Sequence, residues 1–170
     1  MDAARQFGTL VGKAGFRFLF GGGRLGLMGA VAIAAHDAGS HVVGIMPEFL
    51  KHLEPPLKAD MEEVLFVPDL FTRKDKMIAM SDAFVVLPGG LGTLDEFFEV
   101  VTSAQLLVHA KPIVVLNVDG YFDPLLAMVE KVVARGFAQP GSLKLYSVAE
   151  TPDEAMTFLT TRLARLHPGA

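Results

Sequence analysis

"AFVVLPGGLGTLDEFFEV", residues 83–100, decides how this chain is read. A short run rich in Val and Phe comes first. Pro88 and the glycines at 89, 90 and 92 then break it. A pattern with helical spacing follows, opened by Thr93, Asp95 and Glu96. A brief apolar run bounded by Pro and Gly is a buried strand, and the glycines make the turn into a helix.

The same strand-to-helix unit recurs. Candidate strands are 16–20, 41–46, 63–67, 83–88, 112–117 and, in "LKLYSV", 143–148. Helical stretches fall near 3–14, 26–38, 70–81, 93–109, 122–135 and 152–165. Strands this apolar on both faces, each followed by a helix, indicate a parallel sheet covered on two sides. The expected fold is α/β: one domain over residues 1–170, Rossmann-like and doubly wound, with helices on both faces of a parallel sheet. The longest irregular connection is 47–62, and such connections often line a site.

Bulk properties narrow the function. Hydrophobic residues make up 51% of 170 and mean hydropathy is +0.42. No uninterrupted apolar stretch reaches the ~18 residues of a membrane span, so a covered sheet and a contact between subunits are expected to absorb the excess, in a homodimer or larger homo-oligomer. A net charge of −4 without blocks of like sign argues against nucleic acid as a partner. There are no cysteines, which excludes disulfides and thiolate metal sites. Histidines 36, 41, 52, 109 and 167 show no ligand spacing, so no metal is expected. The start lacks a basic-then-apolar leader pattern, which makes the cytoplasm the expected location.

Two glycine clusters fall at expected carboxyl ends of strands, where ligands bind in open parallel sheets. They are "GGGRLG" (21–26) and "PGGLGT" (88–93). A helix N-terminus offers unpartnered N–H groups and the positive end of the dipole. Glycine lets an anion approach it. Gly22, Gly23, Gly89, Gly90, Gly92 and Thr93 are therefore candidate phosphate ligands; the alternative is a turn that needs glycine for steric reasons alone. "GGGRLG" satisfies G-x-G-x-x-G, but a dinucleotide site also wants an acid about 20 residues on. Met46 and Pro47 stand there, and Glu48 comes late. This disfavours a nicotinamide-dependent oxidoreductase. Neither cluster carries the Lys-Ser/Thr pair of a P-loop. A smaller ligand, such as a nucleoside monophosphate, fits better.

Thr93-Leu94-Asp95-Glu96 has two readings. T-x-x-E is a capping box, in which Thr93 caps the helix. Glu96 also lies one turn beyond the cradle, where a carboxylate could face a nucleotide's sugar and stabilise an oxocarbenium-like state. In "FTRKDKM" (71–77), Arg73 and Lys74 are either a solvated turn or, for Arg73, a planar fork for phosphate or a sugar hydroxyl. "DGYFD" (119–123) reads as a turn and helix start at a strand's carboxyl end.

Taken together, "GGGRLGLMGA", "TRKDKM", "LPGGLGTLDEF" and "TSAQLLVHAKPIVVLNVDGYFDPLL" resemble the LONELY GUY (LOG) family. These are cytokinin riboside 5'-monophosphate phosphoribohydrolases, often labelled lysine decarboxylases. The signature R-K-x-x-M with P-G-G-x-G-T-x-x-E is met by Arg73-Lys74…Met77 and Pro88-Gly89-Gly90-Leu91-Gly92-Thr93…Glu96. The resemblance implies hydrolysis of the N-glycosidic bond of a purine-type nucleoside 5'-monophosphate, AMP included, without a cofactor. It implies Arg73 and Glu96 as the catalytic pair and Gly89, Gly90, Gly92 and Thr93 around the phosphate. Lys74, Thr102 and Glu54 would assist binding. Homodimers or larger assemblies are implied. The family opens with an extra strand and a Cys/Gly/Ser-rich turn; the likeness here begins at the next helix, so that strand is expected to be missing. Leu70-Phe71-Thr72 and the positions Val101 and Ser103 depart from the family's usual residues and would reshape the base pocket. A molybdenum-cofactor carrier shares the fold and glycine loop, so holding a nucleotide-like ligand without turnover is the alternative. Lysine decarboxylation would need a Schiff base to pyridoxal phosphate, and no lysine here stands in such a context.

Overall fold

The computed structural model describes residues 1–53, 57 and 63–166. They form two compact units, Met1–Ser81 and Asp82–Ala170.

In the first unit, α1 (Asp2–Lys13) precedes β1 (Phe18–Phe20), α2 (Gly26–Asp37), β2 (Val42–Pro47), β3 (Glu63–Val67) and α3 (Leu70–Met80). A short 3-10 turn, Glu48–His52, follows β2. The strands run parallel in the order β1-β2-β3, with Phe18 opposite Val42 and Val43 opposite Glu63. β2 lies between two neighbours, and all six of its residues are buried. That explains its unbroken apolar sequence: a central parallel strand has no solvent face. β1 and β3 are edges of this trio and only partly buried. Phe20, Ala32, Ala35, Val42 and Leu57 form a core cluster, with Phe18 and Met28 packed against it. α1 approaches α2 closely because Gly8 and Gly12 have no side chains. A Cβ on Gly12 would stand 2.6 Å from both Ala35 O and Ala38 Cβ.

The second unit repeats the plan. β4 (Phe84–Val86), α4 (Leu91–Gln105), β5 (Ile113–Leu116), α5 (Asp123–Ala134), β6 (Ser147–Ala149) and α6 (Pro152–Leu166) follow in order. The strands are parallel in the order β4-β5-β6, and the central β5 is wholly buried. Phe97 of α4, 1% exposed, meets Tyr146 edge-on at 5.6 Å and Phe98 at 5.2 Å. A side chain of that size buried so fully is worth about 2–3 kcal/mol of apolar transfer.

The α/β, Rossmann-like class expected from the sequence holds: both sheets are parallel, and among the described residues α-helices lie between successive strands except for β2 and β3, where only the 3-10 turn is seen. Two local expectations change. Only the end of "LKLYSV" is strand; Pro140–Lys144 winds as a 3-10 turn, closed by Ser142 N–H donating to Gln139 O at 2.9 Å. α4 begins at Leu91, two residues before the expected Thr93. No helix among the described residues is long and apolar enough to cross a membrane.

Candidate functional site

In the first unit β1 ends at Phe20 and the chain turns through Gly21, Gly22 and Gly23, all buried. Gly22 has φ +83°, a conformation a side chain disfavours. A Cβ there would also press on the Met46 side chain at 3.3 Å. A Cβ on Gly21 would take the place of Arg73 Nη2, with Arg73 Cζ 3.0 Å away. The guanidinium of Arg73 thus lies directly on the glycine turn. α2 then starts at Gly26, its N-cap Leu25 supplying no side-chain cap.

Arg73 is placed by the start of α3. Asp69 caps that helix: its Oδ1 accepts from Thr72 N–H at 2.7 Å, and its carbonyl accepts from Arg73 N–H at 3.1 Å. The bond from Thr72 holds the Asp69 carboxyl below the usual carboxylate range. Asp69 went unnoticed in the sequence, although an Asp just before a helical run is a start signal. Lys74 turns elsewhere, its Nζ 5.6 Å from the exposed ring of Phe71. Adjacent helical residues diverge in this way, as expected for the pair.

In the second unit β4 leads through Pro88 and Gly89 to α4. Gly90 is the N-cap and provides no side-chain cap. This corrects the capping-box reading: Thr93 is the third residue of the helix, not its cap, and Glu96 lies beyond the first turn. The first intrahelical bond runs from Leu94 N–H to Gly90 O at 3.2 Å. The N–H groups of Leu91, Gly92 and Thr93 precede it at the positive end of the dipole. Thr93 folds its hydroxyl over Gly89, where a Cβ would collide with Thr93 Oγ1 and approach Thr93 Cβ to 2.9 Å. Around Gly90 and Gly92 the situation is reversed. A Cβ at either would meet nothing within 4 Å, and neither has positive φ. Glu96, half-buried, lies three residues after Thr93 and hence on the same flank of α4.

One member of this group was not singled out as a site residue in the sequence. The Tyr121 hydroxyl donates to Gly89 O at 2.7 Å, across 32 residues of chain. Its presence in "DGYFD" at a strand's carboxyl end was the available signal.

The structure therefore gathers Gly21, Gly22, Gly23 and Arg73 in one unit. It gathers Gly89, Gly90, Gly92, Thr93, Glu96 and Tyr121 in the other. Thr102 stands outside the second group, exposed and about 13 Å along α4 from Thr93. Glu54 lies outside the described residues. His109 accepts from Lys111 N–H through Nδ1 at 3.2 Å, which leaves Nε2 to donate to Val100 O at 3.1 Å. Desolvation by burial lowers the His109 pKa, against the opposing effect of the bond to Val100 O. Among the described residues no three His, Asp or Glu side chains converge as a metal site.

Fold and turns together define a Rossmann-like α/β protein with glycine-rich turns where β1 and β4 run into uncapped helices. Solved structures share that fold. The molybdenum cofactor binding protein of Rippkaea orientalis superposes with a TM-score of 0.70 at 22% identity, over 95% of this chain and 86% of that one. The molybdenum cofactor carrier protein of Chlamydomonas reinhardtii does so at 0.70 and 21%, over 96% and 87%. Sequence relatives are nearer. LOG3 of Arabidopsis thaliana, a cytokinin riboside 5'-monophosphate phosphoribohydrolase, is 44% identical over 90% of this chain and 71% of its own length. The rice (Oryza sativa subsp. japonica) protein named "Probable cytokinin riboside 5'-monophosphate phosphoribohydrolase LOGL2" is 43% identical over 90% of this chain, which spans 62% of that relative's length. The family described as "Possible lysine decarboxylase" matches residues 28–159. The chain belongs to this family, the LONELY GUY (LOG) family of phosphoribohydrolases.

Proposed function

We propose that this protein hydrolyses the N-glycosidic bond of cytokinin riboside 5'-monophosphate or AMP, releasing free base and ribose 5-phosphate. The supporting observation is the open space at Gly90 and Gly92 on the uncapped start of α4. Neither φ nor packing requires glycine at these positions. Their missing side chains leave the N–H groups accessible to an anion. The relatives' named substrates are nucleotides with such an anion.

In this reading the phosphate sits on the N–H groups that open α4, and the Thr93 hydroxyl adds a hydrogen bond. That fixes the ribose. Arg73 orients the substrate and balances its charge. The Glu96 carboxylate stabilises positive charge developing at the anomeric carbon and directs a water to it. The C–N bond breaks with its electron pair going to the base. The water oxygen bonds to the anomeric carbon and releases a proton to the Glu96 carboxylate, while the base nitrogen takes a proton from a second water or Asp95; passage of the Glu96 proton to that donor restores both groups. Lys74, Thr102 and Glu54 are assigned to substrate binding by the family motif, and the reaction as written needs no cofactor. The 170 residues act as one nucleotide-binding domain in a cytoplasmic homo-oligomer. The exposed run Leu106, Leu107 and Val108, 68–89% accessible, is the surface a second copy would cover.

The test is incubation with AMP and with isopentenyladenosine monophosphate, following free base by chromatography. Glu96→Gln should lower kcat by about 10²-fold or more and leave the fold intact. Ligand retained without base release by the wild type would replace the enzyme with a carrier.

A further inference from the structure

The turn after β5 is built more firmly than a strand-to-helix connection requires. Asn117, 8% exposed, closes it twice. Its Oδ1 accepts from Phe122 N–H at 2.6 Å, and its Nδ2 donates to Asp123 Oδ1 at 2.8 Å. Phe122, 1% exposed, anchors the turn in the core. Asp119 and Gly120 reverse the chain with φ of 53° and 68°. Tyr121 is left at the tip, its ring edge-on to Phe122 at 5.0 Å. From there its hydroxyl reaches Gly89 O at 2.7 Å.

A trans peptide is planar, so its C=O and N–H point in opposite directions. Fixing the Gly89 carbonyl therefore fixes the Gly90 N–H on the other side of the same plane. The Gly89–Gly90 peptide most needs such a hold, because glycine on both sides leaves the plane free to rotate. Thr93, folded over Gly89, limits one side of the loop but does not bond this carbonyl in the way Tyr121 does.

We infer that Tyr121 is a positioning residue for phosphate recognition: its hydroxyl locks the Gly89–Gly90 peptide so that the Gly90 N–H joins those of Leu91, Gly92 and Thr93 in facing the substrate's phosphate. This rests on the phosphoribohydrolase reading for its substrate, but not for its test. Tyr121 touches no reacting atom; it acts on the fraction of molecules with the binding-competent loop. Losing that fraction weakens binding in proportion and leaves the turnover of bound substrate alone.

The experiment compares Tyr121→Phe with wild type. The ring is half-exposed and keeps its contact with Phe122, so the thermal midpoint should be unchanged. Losing one hydrogen bond corresponds to roughly a 2- to 10-fold effect. The KM for AMP and the Kd for ribose 5-phosphate should rise by about that factor, with kcat within two-fold. Inhibition by adenosine, which has no phosphate, should not change; a general loss of fold would weaken it as well. Equal ribose 5-phosphate affinity in the two proteins overturns the inference, even if both hydrolyse AMP. So does a wild type with no affinity for ribose 5-phosphate. A wild type that binds ribose 5-phosphate and hydrolyses nothing ends the catalytic reading, while the ratio of the two Kd values still decides the role of Tyr121.

Discussion

Gly92→Ala should move stability and activity in opposite directions. Residue 92 is the second of α4, has no positive φ, and would place its new methyl where no protein atom lies within 4 Å. Alanine at a position with compatible geometry stabilises by about 0.4–1 kcal/mol, chiefly by restricting the unfolded chain. For a chain of this length that raises the thermal midpoint by roughly 1–4 °C. The same methyl would stand before the N–H groups at the start of α4, which a phosphate oxygen must approach to about 2.9 Å. It would displace the ligand by on the order of 1 Å. Misplacement of that size costs about 10²-fold in rate, or ~2.7 kcal/mol in kcat/KM.

Differential scanning calorimetry and steady-state AMP hydrolysis on one preparation give both numbers. Wild-type kcat/KM in a stabilised Gly92→Ala protein would show that no phosphate sits on this turn. Gly89→Ala cannot make the separation, because its Cβ would push directly on Thr93 and lower stability and activity together.

Gly21→Ala should lower kcat/KM with little change in midpoint, since its methyl meets only the flexible ends of two side chains, displacing Arg73 and pressing on Met28 Sδ at 3.2 Å; an unaffected rate would remove Arg73 from the mechanism. Gly22→Ala should instead cost about 1–2 kcal/mol in urea unfolding, because φ is +83° there. His109 is held neutral, its pKa below the ordinary 6.5. The unfolded chain thus takes up the proton first, and the stabilising contribution is whole above that value and is lost as pH falls through the folded pKa. Urea midpoints at pH 7.5 and 5.5 should therefore fall further for wild type than for His109→Gln, and equal slopes would contradict this. Asp69 has its pKa lowered from 3.8 by the bond from Thr72. Its contribution is present above 3.8 and disappears as pH falls through the lower folded value. The midpoint gap between wild type and Asp69→Ala should close in strong acid.

The elements legible in the sequence were those set by long apolar patterns. β2 and β5, the centres of their trios, are unbroken runs because both faces are covered. The six helices fall within a few residues of their expected places. Features that depend on contacts between distant residues were not legible. Thr93 fits a capping pattern on paper, yet the helix reaches back to Leu91, because glycine at 90 and 92 does not prevent it from winding. "LKLYSV" has strand composition, but Pro140 and Gly141 just upstream draw Leu143 and Lys144 into a 3-10 turn, and the strand starts only at Ser147. Tyr121 could not be tied to Gly89 by any local signal, since the bond joins the ends of different strands.

The motif P-G-G-x-G-T treats its glycines as equivalent, and the structure separates them by cause. Gly89 is glycine because the Thr93 side chain occupies the space beside it. In the other turn, Gly22 is glycine because the backbone takes positive φ. Either would be needed in a protein that bound nothing. Gly90 and Gly92 answer to neither demand: inside the helix at 92 alanine would be the better helix former. A fold selected only for stability would place alanine at 92 and a capping Ser, Asp or Asn at the N-cap, 90. The proposed anion site rests on these two open positions, at a helix end without a side-chain cap and beside the Gly89 carbonyl held by Tyr121, more than on the number of glycines.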